Sequence, residues 1–202
     1  FDKEGKRKDV KGKPGDVKAM GLDLKRSDTP KIVQDFLSEI LLDVLTDAKR
    51  EDVIEKVKDF KLKFQERPAW EKGTPKRVNN LTKYTAEEAR LGKANMPGHV
   101  RAAMNWNNLR KMHSDNYSLA ITDGMKTIVC KLKQNPLGYT SVGYPTDESH
   151  IPAWFKELPF DDDTMEETIV DQKVENLLGV LDWNITENTN INSTFDSLFS
   201  FD

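Results

Sequence analysis

Two apolar stripes, parted by a short polar break, limit this chain more than any other feature. Ile32, Val33, Phe36, Leu37, Ile40, Leu41, Val44 and Leu45 recur in steps of one and three, which sets them along one side of a helix from about residue 30 to 46. Thr46-Asp47-Ala48 interrupts the pattern. Val53, Ile54, Val57, Phe60 and Phe64 then mark a second helix over about 52–66, so the two are expected as an antiparallel pair. The aromatic positions read as core, and Lys56, Lys58, Lys61 and Lys63 fall on the other sides of the second helix. Ser27, Asp28 and Thr29 are N-cap residue types, and Pro30 suits a first helical position. Lys25 and Arg26 stand just upstream, where free helix N–H groups and a partial positive charge would also greet a phosphate oxygen. An ordinary capped helix with two solvated cations accounts for the same residues.

Beyond Arg67-Pro68, residues 68–97 are loop-rich, with Gly73, Pro75 and Asn79-Asn80 as breakers. Thr85-Ala86-Glu87-Glu88 is a capping box opening a short helical turn that ends near Gly92. A further helix is expected from Pro97 to about Leu109. Tyr117 to Leu132 reads as a β-hairpin, with Leu119 and Ile121 outbound, Thr122-Asp123-Gly124 as the turn and Ile128 to Leu132 returning. Asn135-Pro136-Leu137-Gly138 turns again, and Thr140 to Tyr144 forms a strand that Pro145 ends. Pro152 to Leu158 makes a short helix. Thr164-Met165-Glu166-Glu167 is read as a second capping box, starting a helix to about Trp183. The class is therefore α+β, mainly helical, with a small β-hairpin or sheet subdomain.

The charge is unevenly distributed. Residues 1–111 hold 26 Lys+Arg against 18 Asp+Glu, whereas residues 112–202 hold 5 against 16. A polyanion-binding face toward one end is one reading of this, and uneven scatter over a solvated surface is the other. No apolar run approaches the ~20 residues of a membrane helix. Cys130 is the single cysteine, which rules out an intrachain disulfide and suits a reducing compartment. Asp161-Asp162-Asp163 invites a metal, but successive residues point different ways, and acids at a helix start need no ligand to explain them. His99, His113 and His150 have no Cys or carboxylate at ligand spacing, so no metal site is assigned. The first residue is Phe, consistent with a processed piece or a fragment.

Met20-Gly21-Leu22-Asp23-Leu24-Lys25-Arg26-Ser27-Asp28 resembles the K-G-x-x-x-x-R-R-D segment at the start of the thumb in B-family DNA polymerases. Gly21, Arg26 and Asp28 match. Met20 and Ser27 depart, but they are similar to the branch from large, myovirus-type bacteriophages, which carries L-K-x-M-G-L-E and S-S-T-P where this chain has Val17 to Asp23 and Ser27 to Pro30. His99-Val100-Arg101 resembles that branch's H-I-R. The later order is similar too: an Asp123-Gly124 turn, an Asn135-Pro136-Leu137-Gly138 turn, and Tyr144-Pro145 where the branch has W-P.

The resemblance implies the end of a palm over residues 1–26, a thumb over 27–185 and a flexible tail over 186–202. It implies a part of a DNA-directed DNA polymerase, a nucleotidyltransferase, that grips primer–template DNA during phage replication in the cytoplasm of an infected bacterium. Lys18, Lys25, Arg26, Ser27 and Arg101 are the expected DNA contacts, and some lysines of the second helix would face DNA as well. Leu198, Phe199 and Phe201 lie in a Phe195–Asp202 tail that resembles the family's clamp-binding L-D-F-L-F, so a phage sliding clamp is an expected partner, beside the palm, fingers and exonuclease. The D-T-D-S motif of the palm and the fingers motif that holds the nucleotide do not occur. No catalytic residue is therefore expected in this chain, and the family's two Mg ions belong to the palm. A non-enzymatic accessory that binds DNA and clamp, or the second subunit of a split polymerase, would carry the same features.

Overall fold

The computed structural model describes residues 24, 26–91, 95–179 and 183. Helix α1 (Lys31–Leu45) buries Val33, Phe36, Leu37 and Ile40, one face at helical spacing. Asp47, in the left-handed region at φ 59°, turns the chain into α2 (Arg50–Gln65). The rings of Phe36 and Phe60 stack with centroids 3.8 Å apart, and Phe60 lies 6.0 Å from Phe64. The helix pair is thus as expected, with two corrections. Pro30 stands at the cap rather than inside the first turn, and no side chain caps the helix. Gln34 reaches back instead, donating from Nε2 to the Arg26 and Thr29 carbonyls. Lys61, expected on a solvated side, is buried in the stripe with Val57 and Phe64.

The reason lies at the other end of the chain. Helix α7 (Asp162–Glu166) continues through a π-helical stretch, Glu167–Asp171, into α8 (Gln172–Leu178). The Gln172 N–H bonds the Glu167 carbonyl five residues back. In an α-helix, residues five apart diverge by about 140°. The π turn brings Glu166 and Asp171 toward one side, and both meet Lys61 Nζ, at 3.1 Å and 3.0 Å. Lys72, at the end of α3 (Ala69–Lys72) and equally buried, pairs with Asp162. Asp161 caps α7 by accepting from the Thr164 N–H at 3.1 Å, so the cap is Asp161 and not Thr164. Two of the three adjacent aspartates are thereby accounted for as a cap and an ion pair. The first capping box does form in full: Thr85 N–H donates to Glu88 and Glu88 N–H to Thr85 Oγ1, opening α4 (Ala86–Leu91).

Three strands form one antiparallel sheet in the order β1 (Thr74–Arg77), β2 (Lys126–Lys131), β3 (Ser141–Pro145). Thr74 pairs with Val129 and Arg77 with Lys126, while Thr127 pairs with Pro145 and Lys131 with Ser141. Tyr117 to Ile121 is not a strand, which corrects the expected hairpin. Side chains satisfy its backbone instead. Asn107 donates to the Ile121 carbonyl and accepts from its N–H, at 2.9 and 2.8 Å. Trp106 Nε1 donates to the Leu119 carbonyl, and Glu148 accepts the Leu119 N–H. The Asp123-Gly124 turn exists, with Gly124 at φ 87°, but it leads β2 onto β1.

Helix α5 (Gly98–Met112) lies across β3, where Gly143 lets the strand touch the helix backbone. A Cβ on Gly143 would come 3.3 Å from Ala102 and Ala103 main-chain atoms. Trp106 sits at the centre of the core, its ring 5.0–5.7 Å from Tyr144, Trp154 and Phe155. Helix α6 (Ala153–Lys156) supplies the last two. The α+β, mainly helical class is what the chain adopts.

Candidate nucleic-acid interface

The segment before α1 and the exposed end of the sheet face each other across a groove of about 680 Å³. Arg26, Ser27 and Asp28 form one side, and Pro75, Lys76, Arg77, Lys126 and Thr146 the other. Four cations and one acid thus line it, with two hydroxyls among them.

The sequence puts these groups there for plain reasons. Gly73 ends α3, and a Cβ on it would stand 2.6 Å from both the Val129 carbonyl oxygen and Ile128 Cγ2. Only glycine lets β1 close on β2 at this point. Once β1 is docked, the register sets Arg77 directly opposite Lys126. Like charges across an antiparallel pair repel. Arg77 relieves this partly by donating from Nη1 to the Gly124 carbonyl at 2.8 Å. Two cations held this close favour an anion over them.

Asp28 binds the two sides together. Arg26 presents its guanidinium as a fork, Nε to Oδ1 and Nη2 to Oδ2, both at 3.1 Å. Lys76 Nζ donates to Oδ2 at 3.0 Å. Burial alone would raise the Asp28 pKa, but the Lys76 and Arg26 bonds outweigh it and hold it at about 2. The carboxylate is therefore ionised at any physiological pH. His99, at the head of α5, is pushed below the usual imidazole range by burial and by the Lys76 ammonium.

Of the expected contacts, the structure brings Arg26 and Ser27 into the groove. Arg101 lies in the second turn of α5, half-buried, and is not among the lining residues. Lys18, Lys25, Leu198, Phe199 and Phe201 lie outside the described residues. Lys76, Arg77 and Lys126 were missed. Their one signal in the sequence is the adjacent pair Lys76-Arg77 straight after the Gly73-Thr74-Pro75 breaker. Among the described residues, no group of His, Cys, Asp or Glu side chains is arranged to hold a metal ion. No described helix is long and apolar enough to cross a membrane.

No family model matches the chain. Its sequence is similar to the DNA-directed DNA polymerase of Enterobacteria phage T4, 28% identical over 131 residues. The match covers 64% of this chain and 14% of that polymerase, so the chain corresponds to a small part of the relative's length. Over that part, the similarity supports a relationship between this chain and DNA polymerases.

Proposed function

We propose that this chain is the thumb portion of a phage DNA-directed DNA polymerase and that it holds the primer–template duplex by its phosphates. The observation that carries this reading is the groove, in which Arg26, Lys76, Arg77 and Lys126 converge from three distant segments of a chain similar in sequence to a polymerase. Cations at this density neutralise phosphodiesters, and the bonds carry no sequence information. Ser27 adds a hydroxyl donor, whereas the Thr146 hydroxyl is already given to the Lys126 carbonyl. Such a surface suits an enzyme that must grip any product duplex and then move along it. Lys18 and Lys25 are assigned to the duplex from the sequence motif they stand in, and Arg101 from its H-I-R context.

The chain holds no catalytic residue in this reading. Nucleotidyl transfer and its two Mg ions belong to the palm. The Leu198, Phe199 and Phe201 tail tethers the polymerase to the sliding clamp. Deleting residues 195–202 should spare duplex binding and abolish clamp-dependent processivity.

The groove is tested by replacing Lys76 and Lys126 together with Gln and measuring duplex affinity by fluorescence anisotropy across a KCl series. Affinity should fall, and the plot of log affinity against log salt should flatten by about 2 charges. An unchanged slope would remove the groove from the DNA contacts.

A further inference from the structure

We propose that Asp28 is a resident stand-in for phosphate, an anion of the protein's own that a DNA phosphodiester must displace from Arg26 and Lys76. This rests on the reading of the groove as a duplex-binding surface. A guanidinium fork on two oxygens, with an ammonium on one of them, is the arrangement these side chains make with a phosphate. Here the Asp28 carboxylate fills it, with every bond at 3.0–3.1 Å. The carboxylate is sheltered, whereas the cations reach solvent: 24% of the Asp28 side chain is exposed, against 61% for Arg26 and 38% for Lys76. An incoming anion therefore meets the cations first, and can draw them off Asp28 one at a time. While it holds the two cations Asp28 is ionised, so the incoming phosphate competes with a full negative charge for them.

The exchange has a use. A cation that already holds a carboxylate gains less from a phosphate than a solvated one, and fewer condensed counterions are released in the trade. Each contact is weaker and more readily broken. Asp28 also gives Arg26 and Lys76 a place to rest between one phosphate and the next. A duplex held this way is gripped without being fixed.

The test is Asp28→Asn in the 202-residue chain, with a fluorescein-labelled mixed-sequence duplex and anisotropy across a KCl series. Asp28→Asn should bind about five- to tenfold more tightly at low salt, with a slope steeper by about one charge. Asp28→Glu, which keeps the anion, should remain close to the wild type. Asp35→Asn is the control for net charge, since Asp35 is exposed, pairs with Lys31 and does not line the groove. Weaker binding by Asp28→Asn would make Asp28 a positioning residue for the cations and overturn the proposal. Equal gains from Asp28→Asn and Asp35→Asn would reduce the effect to net charge, and an unchanged Asp28→Asn would take Asp28 out of the contact; either overturns it. If wild type and Asp28→Asn alike fail to bind duplex, the groove reading itself falls and the proposal falls with it. Tighter binding by Asp28→Asn alone supports both.

Discussion

Lys61→Met removes the cation under the π-helical stretch and keeps most of the side-chain volume. Lys61 is 3% exposed, and its Nζ is the meeting point of Glu166 and Asp171, whose side chains are 10% and 21% exposed. Taking one partner from a buried ion cluster costs about 3–5 kcal/mol, because the remaining charge is stranded. Asp171 keeps some access to water, so the lower end applies, about 3 kcal/mol at pH 7. With a urea m-value of about 2 kcal/mol/M, the unfolding midpoint should drop by about 1.5 M. The loss should depend on pH in a definite direction. Burial raises the pKa of Glu166 and of Asp171 even in the wild type, with Lys61 pulling the other way. An acid whose folded pKa is raised contributes stability at low pH that is lost as pH climbs through that value. Without Lys61 both values rise further, so the two carboxyls protonate at milder acidity. The deficit of Lys61→Met should be largest at neutral pH and shrink as pH falls toward the ordinary carboxyl range near 4. Urea titrations followed by far-UV circular dichroism at several pH values between these limits would measure it. A loss below about 1 kcal/mol, or one that does not change with pH, would refute the claim that Lys61 anchors this stretch.

Two further variants probe the site's supports. Gly73→Ala forces a Cβ to within 2.6 Å of the Val129 carbonyl, so β1 must back away from β2. About 1–3 kcal/mol should be lost by denaturant titration, with duplex affinity falling as Lys76 and Arg77 shift. Asn107→Leu strands the Ile121 N–H and carbonyl, both satisfied by the Asn107 amide, and should cost about 2 kcal/mol or more by the same measurement.

What could be read in the sequence, and what could not, divides by distance along the chain. The α1–α2 pair, the Thr85–Glu88 capping box and the turns at Gly124 and Gly138 are written in neighbouring residues, and they form. Strand β1 was hidden because Thr74-Pro75-Lys76-Arg77 has no apolar alternation; it is a strand because β2, some fifty residues on, supplies its hydrogen bonds. The failed hairpin arm has the reverse cause. Leu119 and Ile121 alternate as a strand should, yet Trp106, Asn107 and Glu148 take the backbone groups a partner strand would have used. Lys61 looked like a solvated lysine because its partners lie more than a hundred residues away, and only a π turn presents both of them. For the groove, Arg26 and Ser27 were legible from a local motif. Lys76, Arg77 and Lys126 join them only once the sheet is paired.

The position of β1 at the margin of the sheet has a consequence for the protein's colloidal behaviour. A bare sheet margin is a template on which another chain can add a strand and start aggregation. Here that margin is four residues long, Pro75 brings no amide hydrogen to it, and Lys76 and Arg77 set two positive charges upon it. The side chains that would meet DNA also keep identical molecules from zipping together edge to edge. Any attempt to silence the groove with strand-loving residues such as Val or Ile at positions 76 and 77 would strip this protection too, and precipitation could then be mistaken for loss of binding.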